Sequence, residues 1–130
     1  MFSHLNVIDI STVLAGPSVG TFFAELGAKV LKIEHPIHGD VTRTWKLASE
    51  KKEDQISAYF SSVNFGKEYF KLDLKNEIDH QEFLKLIETA DILISNFKKG
   101  DAEKLKIMDS DLRKINPQLI HGKISGFGSD

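Results

Sequence analysis

A glycine turn and a carboxylate in the first thirty or so residues resemble parts of a dinucleotide-binding site. Gly16 and Gly20 follow an apolar run over 5–10, and Glu34 ends the next apolar run. In dinucleotide-binding proteins the glycines let the backbone approach a pyrophosphate, and such an acid binds the ribose. The G-x-G-x-x-G spacing is not met, however, and Pro17 lies between the two glycines. We therefore interpret the stretch as a plain parallel βαβ unit and expect no NAD.

Two further segments carry groups that could bind an anion. In GDVTRTW, the guanidinium of Arg43 suits a carboxylate or phosphate, and Trp45 could border a pocket. The lysines of the segment 96–100 follow a buried strand at its carboxyl end, where parallel sheets bind ligands. Lys104 follows in the same region. For both segments the competing interpretation is a solvated surface turn.

Signatures of metal binding and of common nucleophiles are missing from the sequence. Cysteine is absent, which excludes disulfides, thiolate metal sites and cysteine nucleophiles. The histidines show no metal-ligand spacing, since Pro36 separates His35 from His38 and no carboxylate cluster joins them. No G-x-S-x-G elbow or P-loop occurs. We expect no metal and assign no catalytic residue to this chain.

Strands and helices alternate along the chain, which predicts a parallel α/β sheet that presents these loops. A helix is indicated by Val19, Phe22, Phe23 and Leu26 at helical spacing, with Gly27 as its stop. A long polar loop with room for a short helix follows over 37–57. Strands are predicted within 5–10, 30–33, 70–75, 91–94 and 119–124, an apolar patch at 58–63, and further helices at 83–90, 102–108 and 111–115.

Composition points to an ordinary soluble domain. The 130 residues predict one domain, and a net charge of −2 leaves no basic surface for nucleic acid or an acidic membrane. We find no signal peptide and no apolar run long enough to cross a membrane, so we expect a cytoplasmic protein with no membrane partner. The sequence stops after the turn 126–128, so we expect the front part of a larger fold; a complete five-stranded domain is the alternative.

Several segments, in order, resemble the N-terminal part of the family III CoA-transferases, the group of formyl-CoA transferase, carnitine CoA-transferase and α-methylacyl-CoA racemase. The segments are VIDISTVLAGP, LGAKVLKIEHP, GDVTRTW, FKLDLK, ADILISNFKKG and NPQLIHGKISGFG. The resemblance covers 1–130 and implies a Rossmann-like sheet with helices on both faces, as the first portion of a larger two-domain fold. It also implies interlocked homodimers and transfer of CoA from an acyl-CoA thioester to a small carboxylic acid.

The resemblance implies that this chain binds CoA but lacks the nucleophile. In the transferases an aspartate carries CoA as an aspartyl thioester, and that aspartate would lie beyond Asp130. The chain alone is therefore expected to be inactive. Arg43 and Trp45 would border the substrate pocket. The CoA-binding positions implied by the motifs are Leu14, Ala15, His35, Leu72, Asp73, Leu74, Lys75, Asn96, Phe97, Lys98 and Lys104.

Three departures from the family pattern bear on specificity. Thr12 and Leu14 replace a His and a Gln of the formyl-CoA transferases, Lys99 replaces a proline, and Lys104 replaces an Arg and so loses its bidentate fork. Neither the donor acid nor the acceptor acid can be named from the sequence. The alternatives left open are a racemase-like enzyme, a truncated CoA-binding module and, from the βαβ stretch, an NAD-dependent oxidoreductase.

Overall fold

A single sheet of five parallel strands organises this computed structural model, which describes residues 1–128. The strands are β1 (Asn6–Asp9), β2 (Lys29–Glu34), β3 (Glu68–Lys71), β4 (Ile92–Ser95) and β5 (Ile120–Lys123). The helices are α1 (Ala15–Glu25), α2 (Ala58–Ser62), α3 (Glu77–Glu88), α4 (Asp101–Lys104) and α5 (Asp109–Ile115), with a 3₁₀ helix at Val41–Thr44. The strand order β3-β2-β1-β4-β5 makes β1 central and reverses the direction of winding between β1 and β4.

Apolar side chains cover both faces of the sheet, as the predicted fold requires. On one face, Ile8 and Leu93 pack with Phe83 of α3 and Leu112 of α5. On the other, a cluster formed by Val7, Val30 and Ile94 of the sheet packs against Phe23 and Ala24 of α1. This alternation follows from the two-residue period of a strand. The α/β fold with helices on both faces is therefore confirmed.

Helix α1 turns a face of small residues toward the sheet. Gly16 and Gly20 are buried, one helical turn apart, whereas Val19 and Phe22 of the predicted apolar stripe are 40% and 53% exposed. A Cβ on Gly20 would lie 2.8 Å from Oδ2 of Asp9. Close approach of the helix to charged side chains on the sheet thus explains the glycines. The helix itself was predicted correctly, including its end before Gly27, whose φ is +93°.

Four elements differ from the sequence prediction. The helix predicted at 83–90 is α3, which begins earlier, at Glu77, after the Asn76 cap. The third strand is Glu68–Lys71 and not 70–75, because Leu72 turns into the core and a turn follows. The apolar patch at 58–63 forms α2, whose first turn is capped by the Ser57 hydroxyl. The helix predicted at 102–108 is the four-residue α4, and Lys106, at φ +55°, stands outside it. The remaining strands and the short helix within 37–57 are confirmed.

We predict that Gly20→Ala lowers stability although alanine favours helices. In an unconstrained helix this change stabilises by about 1 kcal/mol. Here the methyl group would press on Asp9 and on Lys67, whose Nζ would lie 3.0 Å away, so we expect a net loss of about 1–3 kcal/mol. Urea unfolding followed by circular dichroism measures it. Val19→Ala, on the exposed side of α1, is the control and should change stability by less than about 0.5 kcal/mol; a stabilised Gly20→Ala would refute the packing argument.

Candidate binding site at the carboxyl ends of the strands

The loops after β1 and β4 meet where the winding of the sheet reverses. The backbone N–H of Thr12 donates to Oδ1 of Asn96 at 3.0 Å, and Nδ2 of Asn96 donates to the carbonyl of Thr12 at 2.7 Å. This reciprocal pair joins segments that are far apart in the sequence. We call the region between the loops 11–15 and 96–100 the crevice, because ligands of open α/β sheets bind at this topological position.

The predicted residues of these two loops differ in what they offer a ligand. Leu14 is 50% exposed and Ala15 is exposed at the start of α1. The amide of Asn96 is occupied by Thr12, so this side chain positions the loop. Phe97 packs against the core, whereas the ammonium of Lys98 is exposed. The two loops thus present the apolar side chains of Leu14 and Ala15 and the cation of Lys98 to solvent.

Lys104 lies farther along, in α4. Its side chain is 79% exposed and its Nζ lies 3.9 Å from Oδ1 of Asp101. An exposed ion pair of this length contributes little energy, so Lys104 can turn toward an anion at small cost.

A cleft of about 780 Å³ opens at the carboxyl end of β2. His35, His38 and Arg43 belong to its walls. The rings of His35 and His38 stack with centroids 4.6 Å apart, and Nε2 of His35 lies 3.6 Å from Oδ2 of Asp73. The structure thus brings His35 next to the predicted stretch 72–75.

Within that stretch only part is accessible. Leu72 is 5% exposed, in the core, and Leu74 packs against the same core. Asp73 is half-buried and accepts a hydrogen bond from the N–H of Lys75, whose own side chain is exposed. Asp73 and Lys75 therefore carry the side chains available to a ligand here, whereas the N–H of Leu72 already donates to the carbonyl of Glu34 at 3.0 Å.

Arg43 is held by the protein itself. Its Nε and Nη2 donate to the two carboxylate oxygens of Glu34 at 2.9 and 2.6 Å, and Nη1 donates to the carbonyl of Gln55 at 3.1 Å. The guanidinium also lies 3.8 Å from the centre of the Phe60 ring. Bidentate pairing and stacking of this kind fix an arginine firmly. Arg43 therefore braces the wall of the cleft at the end of β2, and Glu34 is its partner.

Trp45 remains available beside this brace. It is 45% exposed, and its ring contacts Tyr59 edge-on at 5.1 Å between centroids. An exposed, laterally supported indole presents apolar area at a low entropic cost. Of the two predicted pocket residues, Trp45 is the one whose side chain is exposed and not held by an ion pair.

Beneath the crevice lies a buried set of charges that we call the ionic cluster: Asp9, Lys32, Asp40 and Lys67. Nζ of Lys67 lies 2.7 Å from Oδ2 of Asp9, and Nζ of Lys32 lies 3.1 Å from Oδ2 of Asp40; all four side chains are fully buried. Lys67 also donates to three further acceptors, the carbonyls of residues 17 and 63 and the Asn64 side chain. Fully buried charges persist only when paired and hydrogen-bonded.

The cluster connects the sheet to the loops. Lys32 donates to the carbonyl of Ser11 at 2.9 Å, and Asp40 accepts from the backbone N–H groups of Val13 and Thr42. The loop after β1 is thereby tied to β2 and to the loop that follows β2. Its geometry depends on these charges as much as on Asn96.

The surroundings favour the ionised forms of Asp40 and Glu34. Burial alone would raise the pKa of Asp40, but the N–H of Thr42 and the charge of Lys32 outweigh it and hold the pKa below its usual value. Burial likewise opposes ionisation of Glu34, while hydrogen bonds from Arg43 and the Asp40 N–H lower its pKa. Burial lowers the pKa of Lys67, against the attraction of Asp9.

The ionic cluster was missed by the sequence analysis. A signal was present, because Asp9 and Lys32 interrupt the apolar runs VIDI and VLKIE. A charge inside a buried strand implies a partner. The partners lie outside these runs, however, and the strand pattern alone does not identify Asp40 or Lys67.

Comparison with known proteins matches residues 2–130 to the family model described as CoA-transferase family III. The chain belongs to this family. An acetyl-CoA:oxalate CoA-transferase of Acetobacter aceti is 46% identical over 127 residues, and a succinate–glutarate CoA-transferase of Agrobacterium fabrum is 39% identical over 129. These alignments cover 98% and 97% of this chain and 32% of each relative, so the chain spans about a third of their length.

Solved structures of the family show the same arrangement. The Rv3272 protein of Mycobacterium tuberculosis superposes with a TM-score of 0.88 at 33% identity, over 98% of this chain and 35% of that one. A CaiB/BaiF family protein of Brucella suis superposes with a TM-score of 0.85 at 39% identity, over 95% of this chain and 33% of that one. The predicted family and its N-terminal extent are therefore confirmed. Within residues 1–128, none of the helices has the length and apolar character needed to cross a membrane.

We predict that Lys67→Met costs about 3–5 kcal/mol of unfolding free energy, because it leaves the buried Asp9 carboxylate without its cation. Urea unfolding at neutral pH measures the loss. Lys71→Met, at the exposed end of β3, is the control and should stay within about 0.5 kcal/mol of the parent. Equal effects of the two substitutions would contradict a paired buried charge.

We also predict an acid limb of stability that depends on Glu34 and Asp40. Their pKa values are lower in the folded than in the unfolded chain, so the unfolded state binds protons first. The stabilisation is complete above the ordinary carboxyl pKa of about 4 and is lost as the pH falls through the folded values. Unfolding free energies at a series of pH values, with carboxyl ¹³C titrations, measure this. Carboxyl midpoints at or above ordinary values would contradict it, and the Glu34→Gln/Arg43→Met double variant should show a flatter limb.

Proposed function

We propose that this chain is the CoA-binding part of a CoA-transferase that moves CoA between an acyl-CoA thioester and a small carboxylic acid. The observation that carries this proposal is the family match along the chain, together with relatives named for CoA transfer involving oxalate, succinate, glutarate and mesaconate. The geometry supports it, since the segments that carry the resemblance converge on the carboxyl edge of the sheet.

The reaction we propose runs through an aspartyl-CoA thioester. An aspartate attacks the thioester carbonyl and expels the CoA thiolate, giving a mixed anhydride. The thiolate then attacks the aspartyl carbonyl and releases the donor carboxylate, which leaves CoA on the enzyme. The acceptor carboxylate repeats the two steps in reverse, regenerating the aspartate and forming the new acyl-CoA. Two moderate barriers thereby replace one high barrier.

The nucleophile is proposed to belong to the part of the family fold that this chain does not span. This chain would supply the walls that hold CoA. Leu14, Ala15 and the backbone next to Asn96 and Phe97 would line the crevice. Lys98 and Lys104 would face the phosphates, since both ammonium groups are exposed. His35 and the stretch 72–75 would lie along the nucleotide end.

The acid pocket is proposed to include Trp45, with Arg43 holding the loop in place rather than binding the acid. The interlocked homodimer stays a prediction of the resemblance, and the cytoplasmic location stays a prediction from the sequence. The racemase-like, module and oxidoreductase alternatives are not favoured, because the relatives are named as transferases.

A chimera tests the proposal directly. The 127 residues that align with the Acetobacter acetyl-CoA:oxalate CoA-transferase at 46% identity replace the matching third of that enzyme. We expect the chimera to form oxalyl-CoA from acetyl-CoA and oxalate, measured by liquid chromatography and mass spectrometry. The chain alone should bind CoA weakly in calorimetry and form no product.

Charge variants of the chimera locate the phosphates. Loss of an exposed phosphate-facing ammonium should raise the KM for acetyl-CoA about 5–10-fold with little change in kcat, because a contact present in both ground and transition states is removed. The variants are Lys98→Ala and Lys104→Ala, and Lys114→Ala, at the exposed end of α5, is the matched control. A folded chimera without transfer activity, or an equal effect of the control, would contradict the proposal.

A further inference from the structure

A chain of hydrogen bonds joins β4, β5 and α5 on the side of the sheet opposite α1. Nε2 of His121 lies 2.7 Å from Oγ of Ser95, and Nδ1 of His121 lies 2.6 Å from Oδ1 of Asp109. Nζ of Lys123 donates to the other oxygen of Asp109 at 2.6 Å. The order serine, histidine, aspartate is that of a hydrolase triad.

Burial argues against a nucleophilic serine. Ser95 is 4% exposed, and its side chain shares a face of the sheet with Leu93, which packs in the core with α3 and α5. A substrate carbonyl would have to enter that interior to meet Oγ. The chain of hydrogen bonds therefore acts on the protein and not on a substrate.

Its effect falls on the crevice, because Ser95 directly precedes Asn96. The Ser95 side chain is held by His121, and the side chain of the next residue, Asn96, is held by the backbone of Thr12. The carbonyl of Ser95 also accepts from the N–H of Ile124 at 2.9 Å. Together these hydrogen bonds clamp the end of β4 directly before the crevice loop.

We propose that His121 is a positioning residue that, through Ser95, sets the orientation of Asn96 and hence the crevice, and that its protonation loosens CoA binding. The part concerning CoA rests on the proposed function. The part concerning Asn96 does not, since it is a property of the free protein.

The protonation states fit this role. The carboxylate of Asp109 can only accept, so Nδ1 of neutral His121 carries the proton and Nε2 accepts from the Ser95 hydroxyl. The charged groups around the imidazole are Asp109, which favours its cation, and Lys123 and Arg113, which oppose it. Burial is the largest influence and lowers the pKa of His121, while Lys123 and then His121 hold the pKa of Asp109 low. When the imidazole of His121 is protonated at both nitrogens, Nε2 becomes a donor. The Ser95 hydroxyl must then accept this hydrogen bond instead of donating it.

The sign of the pH dependence follows from that lowered pKa. A folded pKa below the unfolded value of about 6.5 means that the contribution is complete above that pH and is lost as the pH falls through the folded value. The clamp should therefore be intact at neutral pH and weaken in mild acid.

Nuclear magnetic resonance of the ¹⁵N-labelled chain tests the clamp without any ligand. The side-chain amide of Asn96 and the N–H of Thr12 should shift along the titration curve of His121, with a midpoint below 6.5. Ser95→Ala should remove this dependence and speed hydrogen exchange at Thr12, and Ser95→Thr, which keeps the hydroxyl, should restore both. Asp109→Asn is a second variant that should shift the midpoint. Ser110→Ala, exposed in the same helix as Asp109, is the matched control and should change nothing.

A calorimetric titration with CoA then measures how the clamp affects the affinity for CoA. Ser95→Ala should weaken CoA binding about 5-fold at neutral pH, the effect of one lost hydrogen bond, and Ser95→Thr should recover it. The proposal would be overturned if the Asn96 and Thr12 resonances changed neither with pH nor in the Ser95→Ala variant. Labelling of Ser95 by a fluorophosphonate would also overturn it, because it would show a nucleophilic serine. If the parent chain does not bind CoA while the Asn96 signals follow His121, the proposed function fails and the positioning role stands.

Discussion

The buried ion pair between Lys67 and Asp9 is the interaction on which the rest of this structure depends. It places a cation beneath α1, between the end of the central strand and the segment that enters the edge strand β3. Such a pair is tolerated only when its other hydrogen-bonding groups are also satisfied. The ammonium of Lys67 has three further acceptors besides Asp9. Helix α1 can cover the pair only because Gly20 has no side chain. The loop after β1 inherits its shape from this packing.

Elements determined by contacts between residues close in sequence were predicted well, and features determined by contacts between distant segments were not. Strand positions followed from short apolar runs, because β1, β2 and β4 are buried by their own side-chain pattern. The inward face of α1 did not, since periodicity marked Val19 and Phe22, whereas the sheet selected the glycines. Strand β3 lies at an edge with all four side chains exposed, so alternation carried little information about its limits.

The positions of the site residues could be predicted from the sequence, whereas their contacts with one another could not. The motif positions Leu14, His35 and Asn96 lie at the ligand edge that the topology predicts. The engagement of Arg43 with Glu34 and Phe60 could not be anticipated, because an arginine in a polar loop looks alike whether it binds a ligand or a neighbour. The ionic cluster and the Ser95–His121–Asp109 chain depend on contacts between segments distant in sequence. The spacing of apolar and polar residues within a segment carries no information about such contacts.

The central place of β1 has a consequence for synthesis on the ribosome. One side of β1 pairs with β2, which follows closely, but the other side pairs with β4, whose residues emerge much later. At ordinary translation speeds of about 5–20 residues per second, the open side of β1 waits several seconds for its partner. An unpaired apolar strand edge invites association with other chains. The nascent protein therefore passes through an interval in which the β4-facing edge of β1 is open to association with other chains.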